Sequence, residues 1–223
     1  MQDRLSLSPI AYVRNGYDEK FGIPRQSGLA QTLSRVVFEK EYSVPEAFRS
    51  LDGFSHLWLI WGFSLCPADG WRPTVRPPKL GGNRRMGVFA TRSPFRPNPL
   101  GLSSVELVGL TFDGDKRAVL EVRGADLADG TPVYDVKPYL PYTDSHPDAR
   151  SAWADPALHP VLRVEFSPRA QADYSPGLQA ELSLVLAQDP RPAYQEDPRR
   201  IYTMSYAGRQ VSFRVEGDCL IVE

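Results

Sequence analysis

A mainly β fold, a β-barrel or strongly curled sheet followed by a small α+β unit, is predicted from three observations in this 223-residue sequence. Twenty-one prolines beside 17 glycines imply many turns and leave little room for long helices. Short apolar or alternating runs recur up to about residue 140 with no helical pattern between them. Beyond a stretch rich in Pro, Asp, Ser and Ala at 141–160, the texture changes to one helical face and one hairpin. A chain of this length holds one large domain or one domain with a small addition, and 42% hydrophobic residues suffice for a core.

The elements follow in order. Strands are expected at 9–14 and at 35–39, around Val36-Val37-Phe38. Residues 45–51 give one or two helical turns, with Pro45 suited to the first. The run 54–63, Phe-Ser-His-Leu-Trp-Leu-Ile-Trp-Gly-Phe, is short enough for a strand buried on both faces. Further strands are expected at 86–91, 103–110 and 117–123. In the last of these, Leu120 and Val122 alternate with Glu121 and Arg123, the period of a half-buried strand. Asp113-Gly114-Asp115 makes the hairpin turn before it. Evenly spaced strands without crossover helices favour a barrel or a curled sheet. After the linker or long loop at 141–160, Ser175-Pro176 supplies an N-cap and a proline at the first helical position. Leu178, Leu182, Val185 and Leu186 then share one helical face. Tyr202, Met204 and Tyr206, and after Gly208 the residues Val211, Phe213 and Val215, alternate with polar neighbours as a hairpin.

The formal charge of −1 conceals a segregation. Residues 70–105 contain Arg72, Arg76, Lys79, Arg84, Arg85, Arg92 and Arg96 and no acid, leaving 19 basic residues elsewhere against all 27 acidic ones. A local field of one sign is what an anionic partner such as RNA requires. Cys66 and Cys219 form neither a disulfide framework nor a metal-ligand spacing, and His56, His146 and His159 are isolated, so no metal is expected. A reduced, cytoplasmic setting suits this cysteine usage, no signal peptide is recognisable, and the longest apolar run is far below a membrane span.

Common catalytic signatures are missing. There is no Gly-x-Ser-x-Gly elbow, Gly81-Gly82-Asn83 lacks the ending of a phosphate loop, and no dinucleotide fingerprint opens a helix. Four segments stand out instead. Pro24-Arg25-Gln26-Ser27-Gly28-Leu29 is a rigid turn presenting a cation and an amide. In the stretch 87–103, prolines hold Arg92, Arg96 and Asn98 with little entropy left to lose on binding. The third, 129–139, runs from the turn Asp129-Gly130-Thr131-Pro132 into a strand with Tyr134 and Val136 on one face and Asp135 and Lys137 on the other. There, an Asp135–Lys137 pair across solvent is the plain alternative to a catalytic role. The fourth, Asp189-Pro190-Arg191-Pro192-Ala193-Tyr194, again locks an arginine between prolines and suggests a second contact surface.

At these segments the chain resembles the TsaA/TrmO-type tRNA methyltransferases, which use S-adenosylmethionine to methylate N6 of threonylcarbamoyladenosine beside the anticodon. The resemblance runs through Pro24-Arg25-Gln26, Phe54-Ser55-His56-Leu57-Trp58, Gly70-Trp71-Arg72-Pro73, the stretch 87–103, Asp129-Gly130-Thr131-Pro132, Val136-Lys137-Pro138-Tyr139 and the stretch 189–194, in order over nearly the whole chain. It implies a homodimer, a β-barrel catalytic domain over 1–145 and a small α+β domain over 158–223 assisting tRNA binding. It further implies that Pro24, Arg25, Gln26, Arg92, Leu102, Asp129, Gly130, Thr131 and Pro132 line the cofactor site. Ser64-Leu65 stands where the family commonly has a polar pair beginning with His, a departure that takes away the family's side-chain contact there, so the expected contact of Ser64 and Leu65 with the cofactor is through the backbone.

Methyl transfer from a sulfonium needs no protein nucleophile, so placing the reacting atoms about 3–3.5 Å apart is much of the catalysis. The free backbone groups of the Asp129-Gly130-Thr131-Pro132 turn are expected to read an adenine edge and ribose. A cation would repel a sulfonium, so Arg92 is expected to face the cofactor's carboxylate or an RNA phosphate. Arg72, Arg76, Lys79, Arg84, Arg85, Arg96 and Arg191 are the expected RNA contacts. The acceptor nitrogen is weakly nucleophilic and benefits from a base, for which Asp135 and His56 are candidates, with a satisfied core histidine as the competing role for His56. Two other readings stay open, namely a methyltransferase with another acceptor and a non-catalytic RNA-binding barrel.

Overall fold

The computed structural model describes residues 5–66, 70–77, 80, 84–154, 161–192, 195 and 197–223. Its first part contains β1 (Ala11–Arg14), β2 (Leu33–Phe38), β3 (His56–Gly62), β4 (Thr74–Val75), β5 (Met86–Gly87), β6 (Leu100–Phe112), β7 (Ala118–Arg123) and β8 (Pro132–Pro138). Six of these close into an antiparallel barrel in the order β1-β2-β7-β6-β3-β8, while β4 and β5 pair separately. Closure leaves no open edge on this sheet. The interior is filled by Ala11, Val13, Val36, Leu57, Leu59, Trp61, Val105, Leu120, Val122 and Val133. One end is plugged by Phe38, Phe48 and Phe112, whose rings meet edge to face at 4.9 and 6.2 Å.

Several elements depart from the sequence-based expectation for identifiable reasons. The run 54–63 is not buried on both faces: Leu57, Leu59 and Trp61 point inward, whereas Trp58 and Ile60 are only partly covered. A barrel wall has a single interior side. Trp58 is apolar outside because Tyr139 covers it at 5.4 Å and Asp144 accepts its indole N–H at 2.8 Å. The strand expected at 86–91 stops after Met86–Gly87, because the chain winds into a 3₁₀ turn over Val88–Ala90. In β8 the register slips opposite Ile60 and Trp61, leaving Tyr134 as the extra residue of a bulge. Val133 and Val136 therefore both reach the core, and the expected pairing of Tyr134 with Val136 on one face does not occur.

The second part contains a helical turn α1 (Pro141–Asp144), then β9 (Arg163–Phe166), α2 (Pro168–Asp173), α3 (Pro176–Leu186), β10 (Tyr202–Tyr206), β11 (Arg209–Glu216) and β12 (Cys219–Val222). The sheet order is β10-β11-β12-β9, with β9 parallel to β12. Helix α3 starts where Ser175-Pro176 predicts it, the Ser175 hydroxyl accepting the Leu178 N–H at 3.3 Å. Leu182, Val185 and Leu186 pack under the sheet with Met204, Val211, Phe213 and Leu220.

This second core is not built from the C-terminal residues alone. Tyr17, Phe21 and Ile23, from the long connection between β1 and β2, belong to it. The Tyr17 ring meets Tyr206 edge to face at 5.4 Å and its hydroxyl bonds Thr32 at 2.8 Å. Burial, chiefly, pushes the Tyr17 phenol up to about 12. Gly16 and Gly22 allow the close approach: a Cβ there would lie 2.8 Å from the Tyr206 ring and 2.7 Å from the Met204 sulfur. Asp18 accepts the Gly208 N–H at 2.7 Å and Glu19 accepts that of Ser205 at 2.6 Å. Tyr17→Ala should therefore leave a cavity in the C-terminal core and lower stability by about 3–5 kcal/mol, read as a fall in Tm by calorimetry.

Candidate active site

Strand directions decide where the loops go. β1, β3 and β7 end at the barrel rim where β2, β6 and β8 begin. The connections 15–32, 63–99 and 124–131 therefore emerge together, opposite the Phe38–Phe48–Phe112 plug. Every expected cofactor residue lies in these loops or at the first positions of the strands that follow. Pro24, Arg25 and Gln26 come from the first loop, Ser64, Leu65 and Arg92 from the second, and Asp129, Gly130 and Thr131 from the third, with Leu102 and Pro132 at the starts of β6 and β8.

Side-chain contacts join the loops. Arg92 donates to the Gln26 amide oxygen at 2.5 Å, linking the first loop to the second. The Ser64 and Thr131 hydroxyls are hydrogen-bonded at 3.2 Å, linking the second to the third. Leu65 and Leu102 are exposed apolar surfaces beside them. The turn at 129–132 departs from expectation. The N–H of Asp129 is committed to Tyr17, that of Gly130 to Val13 and that of Thr131 to Ala128. Gly130, at φ 75°, takes the left-handed backbone this tight turn needs. The turn's backbone donors are therefore committed, and its backbone can offer a ligand only carbonyl oxygen, of which that of Thr131 already accepts the Val13 N–H at 3.0 Å.

Arg25 is engaged by the 189–192 loop. Its guanidinium donates to the backbone oxygens of Arg191 at 2.7 Å and Asp189 at 3.4 Å, and burial pulls it below the ordinary arginine value while Asp189 opposes. Arg191, expected to meet RNA, is bound to both carboxylate oxygens of Asp189 at 2.9 and 3.0 Å with its side chain only 12% exposed. Its role is to fold the 189–192 loop so that two carbonyls receive Arg25. Arg96 is likewise a brace, its Nη1 donating to the backbone oxygens of Thr91 at 2.7 Å and Val88 at 3.2 Å while it lies over Phe89. Arg72, Arg76, Arg84 and Arg85 are exposed around the β4–β5 pair, Arg72 over the Phe95 ring and Arg85 on the Thr74 hydroxyl. Lys79 lies outside the described residues, as does Tyr194.

Neither expected base joins the cluster. His56 is exposed rather than in the core, bonded to the Ser55 hydroxyl at 3.0 Å. It stands at the far end of β3, about 20 Å along the strand from the loop rim. Asp135 is ion-paired with Lys137 at 2.9 Å on the outer wall, in the pair across solvent that was its alternative. The residue that sequence reasoning missed is Asp126. It lies in the third loop between the buried residues Ala125 and Leu127, and Ser103 donates to it at 2.5 Å. Trp61 in turn donates its indole N–H to Ser103 at 3.0 Å. Burial raises the Asp126 carboxyl above its ordinary value, against the Ser103 hydrogen bond and the positive charge of Arg92. A single acid inside the apolar run Ala125-Asp126-Leu127-Ala128 was the available signal, since a carboxylate drawn partly out of water is costly unless a partner or a task retains it.

Exposed Leu65 and Leu102, a cation, an amide and the carbonyls of the 129–132 turn around one rim form a set of groups that fits a zwitterionic nucleoside cofactor. The family model of the tRNA-methyltransferase O N-terminal domain matches residues 12–145, and that of the TrmO C-terminal domain matches 159–223. The tRNA (adenine(37)-N6)-methyltransferase of Escherichia coli is 48% identical over 159 residues, covering 71% of this chain and 67% of that one. Its namesake from Eikenella corrodens is 48% identical over 172 residues, 76% of this chain and 96% of its own. A Pseudomonas aeruginosa relative, 46% identical over 74% of this chain and 70% of its own, has a name that places it among S-adenosylmethionine-dependent methyltransferases. A crystal structure of TrmO superposes with a TM-score of 0.78 at 36% identity, covering 98% of this chain and 97% of the other. With both family models matched and the barrel shared, this chain belongs to the tRNA-methyltransferase O family.

Proposed function

We propose that this protein is an S-adenosylmethionine-dependent tRNA methyltransferase acting on N6 of threonylcarbamoyladenosine at position 37, next to the anticodon. The observation that carries the reading is the convergence of three loops at one barrel rim, joined by the Gln26–Arg92 and Ser64–Thr131 contacts. The adenine(37)-N6 specificity in the names of the Escherichia coli and Eikenella corrodens relatives supports the acceptor. The residues 1–145 carry the reaction, 158–223 assist tRNA binding, and the enzyme works as a cytoplasmic homodimer. Among the described residues no helix is long and apolar enough to cross a membrane.

When bound, S-adenosylmethionine supplies an electrophilic methyl group. Arg92, exposed and fixed by Gln26, would hold the cofactor's carboxylate through a charge-assisted hydrogen bond. The carbonyls of the 129–132 turn would accept hydrogen bonds from an adenine amino group, and Leu102 with Leu65 would supply apolar surface. Pro24 and Arg25 act by position: Arg25 anchors the first loop to the 189–192 carbonyls, so Gln26 stays beside Arg92. Exposed Arg72, Arg76, Arg84 and Arg85 meet tRNA phosphates near this rim.

Arg92→Ala should weaken cofactor binding by about tenfold to a hundredfold in calorimetry, the loss of a hydrogen bond to a charged group. Unchanged affinity would remove Arg92 from the site. Deleting the gene should abolish N6-methyl-threonylcarbamoyladenosine in the tRNA pool by mass spectrometry, with threonylcarbamoyladenosine accumulating in its place. An unaltered modified nucleoside would overturn the acceptor, and absence of any cofactor binding would leave only an RNA-binding barrel.

A further inference from the structure

We propose that Asp126, held at the barrel rim by the Ser103 hydroxyl, is the proton acceptor of the methyl transfer. The inference rests on the function proposed above, because an acceptor nitrogen conjugated to a carbonyl is a weak nucleophile and gains most from a base that takes its proton. In the balanced step one methyl replaces one proton. The N6–H bond breaks and its proton passes to an Asp126 carboxylate oxygen. The nitrogen's electron pair forms the new N–CH₃ bond, and the pair of the broken S–CH₃ bond stays on sulfur. The neutral carboxyl then releases its proton to water.

Three observations assign the role. Asp126 lies on the 124–131 loop, at the same rim as Gln26 and Arg92, whereas His56 is at the far end of the barrel and Asp135 is ion-paired with Lys137 on the outer wall. Its surroundings hold it in place: one oxygen receives the Ser103 hydroxyl, itself held by Trp61 from β3. The charged and titratable groups that act on it come from every side. Arg92 and the Ser27 backbone N–H, from the other two rim loops, favour the charged form along with Ser103 of β6, while Tyr17 lies within electrostatic reach. The third observation is the balance of these influences. Burial outweighs them and raises the carboxyl above its ordinary value, which makes it a better base than an exposed aspartate.

The raised value also sets the sign of the stability effect. The folded protein binds this proton more readily than the unfolded chain. Stability from this group is therefore present at low pH and is lost as pH rises through the raised folded value, so at neutral pH the ionised carboxylate is a cost. A neutral amide removes that cost.

The test uses the full-length enzyme and tRNA bearing threonylcarbamoyladenosine in single turnover across pH. Asp126→Asn should slow methyl transfer by about 10²–10⁴-fold and abolish the acid limb of the rate profile, with cofactor binding retained by calorimetry and a neutral-pH Tm no lower than wild type. Ser103→Ala removes a hydrogen bond to the charged form, so both the acid limb and the Asp126 carboxyl titration followed by ¹³C NMR should move to higher pH. A wild-type rate in Asp126→Asn, a persisting acid limb, or a limb unmoved by Ser103→Ala would overturn the role. So would an Asp126→Asn protein that melts far below wild type and no longer binds cofactor, which marks a structural carboxylate. A wild-type enzyme that binds cofactor yet leaves this tRNA unmodified overturns the acceptor instead, a result separate from an active wild type indifferent to Asp126.

Discussion

The connection between β1 and β2 belongs to two hydrophobic cores at once, and the geometry of the rim depends on that sharing. It leaves the barrel at Arg14, buries Tyr17, Phe21 and Ile23 among residues of the C-terminal sheet, and returns through Arg25 and Gln26 to the rim. A surface loop of this length would lose considerable entropy on being fixed for a ligand. Here the loss is met on folding, by aromatic packing against Tyr206 and Phe213 and by Asp18 and Glu19 gripping the backbone of the β10–β11 hairpin. The C-terminal sheet therefore supports the first rim loop physically, whatever else it contacts.

Arg25 and Arg191 show how the same cation chemistry serves position rather than binding. Each is flanked by proline, and each is committed within the protein: Arg191 to a carboxylate two residues away, Arg25 to the carbonyls that this pairing turns outward. A guanidinium with several fixed donors suits such a clamp, since it satisfies orphan carbonyls that a buried loop would otherwise leave unpaired. Arg72, Arg76, Arg84 and Arg85 around the β4–β5 pair, by contrast, are exposed, and the acid-free stretch concentrates its field there.

At the rim itself the fold tolerates a costly group. The barrel interior is apolar, yet Asp126, Ser103 and the Trp61 indole form a hydrogen-bonded chain at its end. The approach is tight: a Cβ on Gly101 would lie 2.2 Å from the Trp61 ring, so the indole lies against the bare backbone of β6 and brings its N–H to Ser103. A side chain at Gly101 would displace Trp61 and with it the partner that orients Ser103. Such local cost is typical where a fold holds a functional group in a defined state.

Local pattern made much of this molecule legible. The alternation in 117–123, the Ser175-Pro176 cap and the hairpin about Gly208 each depend on neighbours in sequence, and each appears as written. The proline-spaced stretch 87–103 likewise announced a fixed loop carrying Arg92. What the tertiary structure alone decided are matters of who lies across space. Nothing local reveals that β8 bulges at Tyr134, that β9 pairs in parallel with β12, or that Tyr17 leaves its own barrel for a distant core. The division between clamped and exposed arginines had the same origin, because Arg191 between its prolines and Arg92 just before Pro94 carry the same cation and differ in the partner each meets. Asp126 was visible as an acid in an apolar run, but its meaning came from barrel closure, which set Ser103 beside it and Arg92 within reach.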